Sequence, residues 1–407
     1  MLRVEMLCTG DEVLHGQIMD TNAAWLADYL FQQGLPMSSR MTVGDDLDAL
    51  VSALTQRSRI ADILIVNGGL GPTSDDLSAL AAATAAGEGL VEHAEWLARM
   101  EAFFAGRGRV MAPNNRKQAQ IPAGAEMIDN PVGTACGFSL RLDKCLLFFT
   151  PGVPSEFKVM VEQQIMPRLR ERFAIGQAPL CLRLTTFGRS ESDLANQLDG
   201  LALPPGVVLG YRSAMPIIEL KLTGPAAQRT AMEQLWQQVR SVAGENTLFE
   251  GTEGLPAQLA RRLAERGLRL AVSERFTAGL LNWRLQAVGM PLAGGELPAD
   301  TRSRDLNQLA ADTRQLAERH AAPLALTVGA RDDERLTIAL HTPQGTFAQT
   351  IQSAAPRYSL KIHQELTAIF AMNMLRRWLN GWPVYGGHGW IAVLETLESG
   401  HQGLSAE

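Results

Sequence analysis

The sequence predicts an α/β protein with two or three domains, and three observations support this prediction. The chain has 407 residues, whereas single domains seldom exceed about 250. Short apolar runs alternate with helical patterns through residues 1–174, which is typical of a mostly parallel sheet with flanking helices. A glycine-rich loop at residues 67–76 separates an apolar run from an alanine-rich stretch. Such a loop between a strand and a helix presents backbone N–H groups to an anion.

Hydrophobic periodicity and capping residues predict the N-terminal elements in chain order. Asp20 or Thr21 caps the first predicted helix, which Gly34 ends, and Asp46 caps the second. The predicted strands span residues 4–8, 37–43 and 63–66, with a hairpin of residues 137–142 and 145–149. A further helix is predicted at residues 77–86. The last predicted helix of this domain follows the loop at 150–156 and runs to about residue 173.

Two more domains are predicted to follow, with boundaries near residues 174–179 and 251–254, where glycine and polar residues interrupt the pattern. The predicted domains are therefore residues 1–174, 175–251 and 252–407. The middle one is a small α+β module with predicted strands at 182–187, 207–211 and 217–222 and helices at 190–198 and 226–242. The third begins with a helix at 255–265, a strand at 268–272 and a helix at 277–286, and it ends with a long helix at 359–379.

The net charge, the cysteine spacing and the apolar runs of the chain indicate which kinds of partner it can bind and in which compartment it is found. The net charge of −6 argues against a general nucleic-acid or anionic-membrane binder. The four cysteines are scattered without a CxxC pair, so we expect free thiols and a reducing cytoplasm. The N-terminus reaches a glycine at Gly10 and does not resemble a signal peptide, and no apolar run is long enough to span a membrane. We therefore expect a small-molecule ligand and neither a nucleic-acid nor a membrane partner.

Polar side chains beside glycines cluster in four segments of the N-terminal domain, at residues 10–22, 44–46, 67–76 and 130–158. Three of these segments directly follow predicted strands. Loops beyond the carboxyl ends of strands in an open α/β sheet converge on one crevice, so we expect the four segments to meet.

The carboxylates in these segments exceed what an anion-binding pocket needs. Asp11, Glu12, Asp45, Asp75 and Asp76 would repel a phosphate unless a cation lay between them. Oxygen ligands suit magnesium, manganese or calcium better than zinc. The sequence therefore predicts a phosphorylated ligand held together with a divalent metal.

Simpler interpretations compete with these assignments. Asp46 is explained equally well as a helix cap, and a cap is the better explanation of Asp20. Asp75 and Asp76 could also cap the helix that follows them, but one cap needs only one carboxylate, so the site interpretation is favoured for this pair. Residues 114–118 are best explained as a helix start with a solvated face, with a phosphate contact as the alternative. His15 is a lone histidine and is not assigned as a metal ligand.

Five stretches of the first domain resemble the CinA (competence/damage-inducible protein A) family. They are residues 10–23, 43–46, 68–77, 130–135 and 151–158. The resemblance implies a three-layer fold like the molybdopterin-binding domain of molybdenum-cofactor biosynthesis proteins. Gly68, Gly69, Gly71 and Asp76 match the Gly-Gly-Thr-Gly loop and aspartate of those relatives, whereas Leu70 replaces the threonine. The middle module is similar to the family's KH-like domain, but no basic Gly-x-x-Gly loop supports RNA binding.

The same resemblance implies metal-dependent hydrolysis of a nucleotide pyrophosphate such as ADP-ribose. The implied cofactor is Mg²⁺, Mn²⁺ or Co²⁺, with K⁺ as an additional candidate, and a homodimer is implied by analogy. The predicted metal ligands are Asp45, Asp75 and Asp76. The predicted catalytic residues are Asp11, Asp45, Asp76, Glu156 and Lys158, and the predicted substrate-binding residues are Gly10, Asn22, Gly68, Gly69, Gly71, Pro72, Thr73, Asn130, Gly133, Thr134, Gly152, Pro154 and Ser155.

The third domain is similar to the family's nicotinamide-nucleotide amidase domain, with three departures. The family's Glu-Ser-Cys-Thr-Gly-Gly motif reads Glu-Arg-Phe-Thr-Ala-Gly at residues 274–279, and Arg275 replaces the nucleophilic serine. The stretches at 294–300 and 328–332 have also changed, the first with loss of a tyrosine. Because a guanidinium cannot attack a carbonyl, we expect a catalytically inactive amidase-like domain that serves packing, dimerisation or regulation.

Three alternatives stay open from the sequence. The first domain could bind a pterin or nucleotide without chemistry, the third could retain nicotinamide mononucleotide deamidase activity, or the whole chain could be an interaction protein with vestigial sites. Product analysis separates these, since ammonia, a pyrophosphate-cleavage product or no product would distinguish them.

Overall fold

The computed structural model describes residues 2–300, 302–353, 358–386, 388–389 and 391–400. These residues form two compact units that divide between Pro179 and Leu180. No helix among them is both long enough and apolar enough to cross a bilayer.

The N-terminal unit is built on a six-stranded sheet in the order β2-β1-β3-β8-β7-β6, with a separate pair β4-β5. Its strands are β1 (Val4–Thr9), β2 (Met37–Val43), β3 (Ile63–Asn67), β4 (Leu90–Glu92), β5 (Gln120–Pro122), β6 (Glu126–Ile128), β7 (Gly137–Leu142) and β8 (Cys145–Thr150). Strands β2, β1, β3 and β8 run parallel, and β7 and β6 are antiparallel additions at one edge. The predicted mostly parallel sheet is confirmed.

Helices cover both faces of this sheet, so the unit has three layers. They are α1 (Asp11–Leu14), α2 (Thr21–Gln32), α3 (Leu47–Ser58), α4 (Ser78–Ala86), α5 (Ala94–Ala105), α6 (Pro154–Met160) and α7 (Met166–Arg172), with a 3₁₀ helix at Pro113–Ala119 and a π-helical turn at Val161–Ile165. Alternate residues of each strand point to opposite faces. Met6 of β1 packs in the core with α2, α6 and α7, whereas Leu7 packs in the core with α3, α4 and α5.

The C-terminal unit contains two sheets. Its first sheet has the antiparallel order β10-β11-β9-β12, from β9 (Leu180–Phe187), β10 (Val208–Ala214), β11 (Ile217–Gly224) and β12 (Thr247–Glu250). Helices α8 (Glu191–Leu198) and α9 (Arg229–Ala243) share one apolar core with this sheet. Short 3₁₀ helices lie at Ala226–Gln228 and Gly244–Asn246. The α+β character of the middle segment is as predicted, whereas its likeness to a KH domain is not confirmed.

The second sheet has the order β14-β13-β15-β16-β17-β18, in which only β14, β13 and β15 run parallel. Its strands are β13 (Leu270–Glu274), β14 (Leu292–Glu296), β15 (Leu324–Asp332), β16 (Arg335–Thr342), β17 (Gly345–Ser353) and β18 (Ile391–Gly400). The helices are α10 (Leu255–Glu265), α11 (Leu280–Gln286), α12 (Leu306–Arg319) and α13 (Leu360–Leu379). Helix α13 is buried on most sides, and its residues share one core with Phe187 of β9 and Leu248 of β12.

That shared core explains why residues 180–400 form one compact unit although the sequence shows a break near residue 251. The predicted division into three domains stays a prediction. Element predictions agree with the structure at most N-terminal strands, at the caps Asp20 and Asp46, and at the long helix α13. Asp75 and Asp76 do not cap α4, because Leu77 occupies the N-cap position before Ser78 and no side-chain hydrogen bond caps the helix there.

Candidate functional site

The N-terminal unit has a crevice at the carboxyl ends of its parallel strands. The chain leaves β1 for β2 on one side and later returns to β3 on the other, so the crevice lies at a topological switch point. It encloses about 580 Å³ and is lined by the residues that follow β1, β2, β3 and β8. The four polar segments of the sequence therefore meet there, as expected.

The glycine loop is shaped by close approaches that exclude a side chain. Gly68 has φ +107°, and a Cβ there would lie 2.7 Å from the carbonyl oxygen of Thr9. Gly69 has φ +67°, and a Cβ there would collide with the Ser78 hydroxyl. That hydroxyl donates to the Gly68 carbonyl at 2.7 Å, which ties the loop to the start of α4. Glycine is needed at both positions for conformation and for space.

Two buried amides fasten the loops together. Asn67, at the end of β3, donates from Nδ2 to the carbonyl of Pro151 at 2.7 Å. Asn22 of α2 donates from Nδ2 to Asn67 Oδ1 at 3.0 Å and to the Gly152 carbonyl at 2.8 Å. The Asn22 Oδ1 atom is buried and has no partner among the described residues, so it offers an acceptor at the crevice wall. Asn22 was predicted; the role of Asn67 was not.

The carboxylates of the crevice are largely satisfied by protein donors. Asp45 accepts from Thr9 Oγ1 at 3.2 Å and from the Asp11 backbone N–H at 3.0 Å, and Asp11 accepts in return from the Asp45 N–H at 3.2 Å. These bonds link the loops after β1 and β2. Asp20 caps α2 through the Ala23 N–H at 2.9 Å.

Asp76 folds back over the glycine loop. Its Oδ2 accepts from the Thr73 N–H at 2.9 Å and from the Thr73 hydroxyl at 2.5 Å. Lys117, from the 3₁₀ helix, donates to the Thr73 carbonyl. The pKa of the exposed Asp75 is lowered, chiefly by hydrogen bonding at Thr73 and secondarily by hydrogen bonding of its own backbone. These contacts stabilise the turn.

Glu156 is held by Asn130. Asn130 Nδ2 donates to Glu156 Oε2 at 2.7 Å, and Asn130 Oδ1 accepts from the Gly133 N–H at 3.0 Å. A Cβ at Gly133 would overlap the Glu156 carboxylate, so this close approach requires glycine. Lys158 lies elsewhere, with its ammonium 5.6 Å from the centre of the Trp25 ring.

The structure thus brings many of the predicted site residues to the crevice. Those that line it are Gly10, Asn22, Asp45, Gly68, Gly69, Gly71, Pro72, Asp75, Asp76, Thr134, Gly152, Pro154 and Glu156. Those that do not are Asp11, Thr73, Asn130, Gly133, Ser155 and Lys158, several of which support the lining residues from behind. Residues missed from the sequence include Cys8 and Thr9, and two residues that were weighed but not assigned to the site, Asp20 and Gln118, also line the crevice. Which of these residues reach the crevice depends on where each strand ends and on which strands pair in the sheet.

The described residues that line the crevice include six carboxylates and no lysine or arginine. Nevertheless, the described part of the chain contains no group of three or more His, Cys, Asp or Glu side chains placed to hold a metal ion. Asp45, Asp75 and Asp76 therefore do not form a ready-made metal centre. The divalent-metal and K⁺ assignments stay predictions, and no chemical step is derived through them.

A second set of strand ends lies in the C-terminal unit, where β14, β13 and β15 run parallel. Glu274, the last residue of β13, leads into the loop after this strand and is 1% exposed. Its carboxylate accepts from the Leu281 N–H at 3.0 Å, from the Asn282 N–H at 2.7 Å, from the Asn282 amide at 2.8 Å and from the Thr277 hydroxyl. This buried charge fixes the loop against the start of α11. Thr277 is itself 1% exposed.

Arg275 stabilises the neighbouring loop. Its Nε donates to the Asp300 carbonyl at 3.0 Å. The Asp300 carboxylate accepts from the Arg302 N–H and from Arg304, and these bonds lower its pKa to about 2. At the end of β14, burial acts to raise the pKa of Glu296, but hydrogen bonds from Arg319 and His320 outweigh it and lower the pKa.

The start of α13 packs against the same loop. Gln364 Nε2 donates to the Phe276 carbonyl at 3.0 Å. A small cavity of about 20 Å³ is lined by side chains that include Phe276, Arg331 of β15, Glu334 and His363 of α13. The Arg331 guanidinium lies 5.5 Å from the centre of the Phe276 ring. The spacing of the histidines in the sequence did not predict that His363 lies beside this cavity.

Comparison with known proteins agrees with this architecture. Residues 5–171 match the family described as "Probable molybdopterin binding domain". Fold and crevice together define an α/β protein that carries a molybdopterin-binding-type domain and a further α/β domain. The whole chain is 63% identical, over 98% of its length and 99% of the relative's, to a CinA-like protein of Escherichia coli (strain SE11). The chain belongs to the CinA-like family.

Other similar proteins carry more specific names. A protein of Escherichia coli (strain K12) with the same identity and coverage is named "NMN amidohydrolase-like protein YfaY". Among solved structures, the CinA protein of Thermoplasma acidophilum is 30% identical with a TM-score of 0.38, covering 40% of this chain and 96% of that one. The molybdopterin biosynthesis enzyme MoaB of Thermus thermophilus is 17% identical with a TM-score of 0.30, covering 42% and 94%.

The amidohydrolase-like relative contradicts two predictions. The predicted function, hydrolysis of a nucleotide pyrophosphate such as ADP-ribose, is wrong, and so is the predicted inactive amidase domain. Two physical assumptions explain these errors. Asp45 and Asp76, which were interpreted as metal ligands, accept hydrogen bonds from the protein. Replacement of a serine by Arg275 removes one kind of nucleophile without excluding hydrolysis by water.

Proposed function

We propose that this chain hydrolyses the carboxamide of nicotinamide mononucleotide. The observation that carries the proposal is the 63% identity, over 98% of the chain, to a protein named NMN amidohydrolase-like. The reaction adds one water across the amide C–N bond and gives nicotinate mononucleotide and ammonia. A site for it needs a cation for the phosphate, space for the ring and a proton acceptor for the water.

The strand ends of the C-terminal unit offer a cation and an aromatic surface. Arg331 lies at the end of β15 and is half-buried, and its Nε donates to the Asp333 carbonyl at 2.6 Å. The terminal nitrogens of its guanidinium are the groups that would bind a phosphate. Phe276 lies beside it and provides an aromatic surface for a planar ring. The same edge of the sheet carries the loop after β13, at which the amidase resemblance of the sequence is centred.

The test is to incubate the purified protein with nicotinamide mononucleotide and to measure both products. We expect ammonia in a coupled dehydrogenase assay and an equal amount of nicotinate mononucleotide by anion-exchange chromatography. Arg331→Met should raise KM by roughly tenfold, because one phosphate contact is lost. The exposed Arg335→Met is the matched control and should behave as wild type. Absence of ammonia from the wild-type protein would refute the proposed function.

We propose a second, separate function for the N-terminal crevice, which is binding of a phosphorylated heterocycle of the nucleotide or pterin class. The molybdopterin-binding description of residues 5–171 favours it, as does a 580 Å³ cavity bordered by a glycine loop. Calorimetric titration with adenosine monophosphate, with and without Mg²⁺, tests this function and the predicted cation together. Lack of binding in both conditions would contradict the proposal for this probe.

Two further expectations accompany these proposals. We propose a cytoplasmic location, because the cysteines are free thiols, three of them buried. We also propose a homodimer, to be tested by light scattering during gel filtration, where a mass near 44.2 kDa would instead indicate a monomer.

A further inference from the structure

The C-terminal unit has a cavity of about 320 Å³ that is lined by residues of β12, α10 and the C-terminal end of α13. Its wall includes the guanidinium groups of Arg262 and Arg376 and the side-chain amides of Gln258 and Asn380. Glu250 is the one acidic residue among the described lining residues, and its carboxylate is already bound by a guanidinium of α9 at 2.8 and 2.6 Å. The cavity therefore presents hydrogen-bond donors and no free carboxylate.

Arg376 brings a buried positive charge to this cavity. It is 5% exposed, and within the described part of the chain its guanidinium donates only to neutral oxygens. These are Asn373 Oδ1 at 2.8 Å, the Thr247 carbonyl at 2.5 Å and the Glu245 carbonyl at 2.6 Å. The bonds fix the guanidinium in place, but they do not neutralise its charge, and a buried charge without a counter-charge is unfavourable.

Arg262 of α10 adds a second positive charge. Its Nη2 donates to the Leu379 carbonyl at 2.9 Å, which is its only hydrogen bond to the described residues. Its other N–H groups can therefore meet a ligand. Burial lowers the pKa of Arg262 and the charge of Arg266 lowers it further, while Glu265 acts in the opposite direction without reversing the shift.

The end of α13 does not balance these charges. A helix C-terminus carries only about half a negative charge, and Arg262 and Arg266 both donate to the last carbonyl of this helix. Arg377 is paired with the Glu245 carboxylate at 2.8 Å. Burial, with the charges of Arg377 and Arg262, lowers the pKa of Arg376 to about 10, so the neighbouring cations repel one another. An anion in the cavity would reduce this repulsion.

We propose that this cavity binds a phosphate group, either as the free ion or on a small phosphomonoester. Arg262 donates hydrogen bonds to the phosphate oxygens, and Arg376 supplies a buried positive charge. The site is separate from the proposed amide hydrolysis and from the N-terminal crevice, so it stands or falls independently of both. Because the ligand would contact β12 as well as α10 and α13, its binding should stabilise the C-terminal unit.

The first test locates the site in the wild-type protein. Phenylglyoxal, which modifies accessible arginines, is applied with and without about 10 mM inorganic phosphate at matched ionic strength, and modified residues are identified by peptide mass spectrometry. Phosphate should slow modification of Arg262 by about threefold or more. Arg261, an exposed residue of the same helix that does not line the cavity, should react at an unchanged rate.

Ribose 5-phosphate is the second probe in the same experiment. Protection of Arg262 by both probes assigns a phosphomonoester site, whereas protection by inorganic phosphate alone assigns a site for the free ion. If neither probe slows modification of Arg262, the proposal is overturned, whatever the protein does with nicotinamide mononucleotide.

Thermal unfolding of variants measures the contribution of the guanidinium. About 10 mM phosphate should raise the wild-type midpoint by about 2–4 °C. Arg262→Met should lose roughly half of this rise or more, and Arg262→Lys should lose less, because lysine keeps the charge without the planar fork. Arg262→Met should fold, since Arg266 still donates to the Leu379 carbonyl at 3.2 Å.

Arg261→Met is the matched control and should keep the full rise. A rise of the same size in Arg262→Met and in the wild type overturns the proposal. A rise that is lost equally in Arg261→Met overturns it as well, because the effect would then follow the general charge of α10 and not this cavity.

Discussion

The loop at residues 67–76 and the loop at residues 274–279 both follow a buried parallel strand and precede a helix, but they are held in different ways. The base of the N-terminal loop is held by neutral groups, with glycines that allow close approach and the amides of Asn22 and Asn67. The charged Asp76 and Lys117 make their contacts at its tip, on Thr73. The C-terminal loop is held by charges, with the buried Glu274 at its base and Arg275 on its outer side.

This difference has consequences for ligand space. The neutral loop leaves a crevice of about 580 Å³ beside it, whereas the charged loop is accompanied by a cavity of about 20 Å³. The first suits a whole phosphorylated ligand, and the second suits a water. The comparison predicts that the two loops respond differently to mutation and to pH.

Removal of the buried carboxylate should produce the largest effect. Glu274→Ala leaves the Leu281 and Asn282 N–H groups buried without an acceptor, and we expect the free energy of unfolding to fall by about 3–4 kcal/mol. Urea denaturation followed by circular dichroism measures the change. Glu318→Ala, at an exposed position of α12, is the control and should change the value by less than about 0.5 kcal/mol. A loss below about 1 kcal/mol for Glu274→Ala would show that charge does not hold this loop.

Sequence patterns predicted the N-terminal sheet well, because its central strands are unbroken apolar runs between clear turn residues. They did not predict the second half of the C-terminal sheet, where β16 and β17 mix polar and apolar residues. The convergence of the crevice loops could be predicted, since loops at the ends of parallel strands must meet. The partners of the carboxylates could not: Glu156 pairs with Asn130, 26 residues away, and Asp45 with Asp11, 34 residues away. These hydrogen bonds form only when the folded chain brings the two distant segments together.

A pair of glycines tests the neutral loop. Gly69 and Gly87 have nearly equal φ angles, +67° and +69°, but only at Gly69 would an added Cβ meet other atoms within 4 Å. Gly87→Ala should cost about 1 kcal/mol through backbone strain alone. Gly69→Ala should cost about 2–3 kcal/mol, because the new methyl group also displaces Ser78. Equal losses in urea denaturation would show that space at the loop is unimportant.

Acid should destabilise the C-terminal unit through His388. Burial, with the nearby charges of Arg377 and Arg376, lowers the pKa of His388 to about 4, and its ring packs against Phe187 and Phe370. The unfolded chain binds a proton near pH 6.5, so stability is full above that pH and is lost as pH falls towards 4. Between pH 7 and pH 5 this histidine should cost about 2 kcal/mol.

The measurement is urea unfolding of the wild-type protein and of His388→Leu at both pH values. On acidification from pH 7 to pH 5, the free energy of unfolding of the variant should fall by about 2 kcal/mol less than that of the wild type. If the two proteins lose stability equally, the pH dependence has another origin and the contrast between the two units does not extend to His388.

The smallest effect is expected for the adjacent Asp45 and Asp46. The sequence did not show which of the two caps a helix and which lies in the site. Asp46 caps α3 by accepting from the Ala49 N–H at 2.8 Å and does not line the crevice, whereas Asp45 does. Asp46→Ala should cost about 1 kcal/mol of stability, and Asp46→Asn almost nothing, because asparagine caps equally well. Neither Asp46 variant should change binding of adenosine monophosphate to the crevice.

Asp45→Ala should weaken that binding, because it removes the hydrogen bonds between the loops after β1 and β2. Weaker binding in Asp46→Asn would instead place Asp46 in the ligand site, and binding in the crevice beside the neutral loop would then depend on its charge.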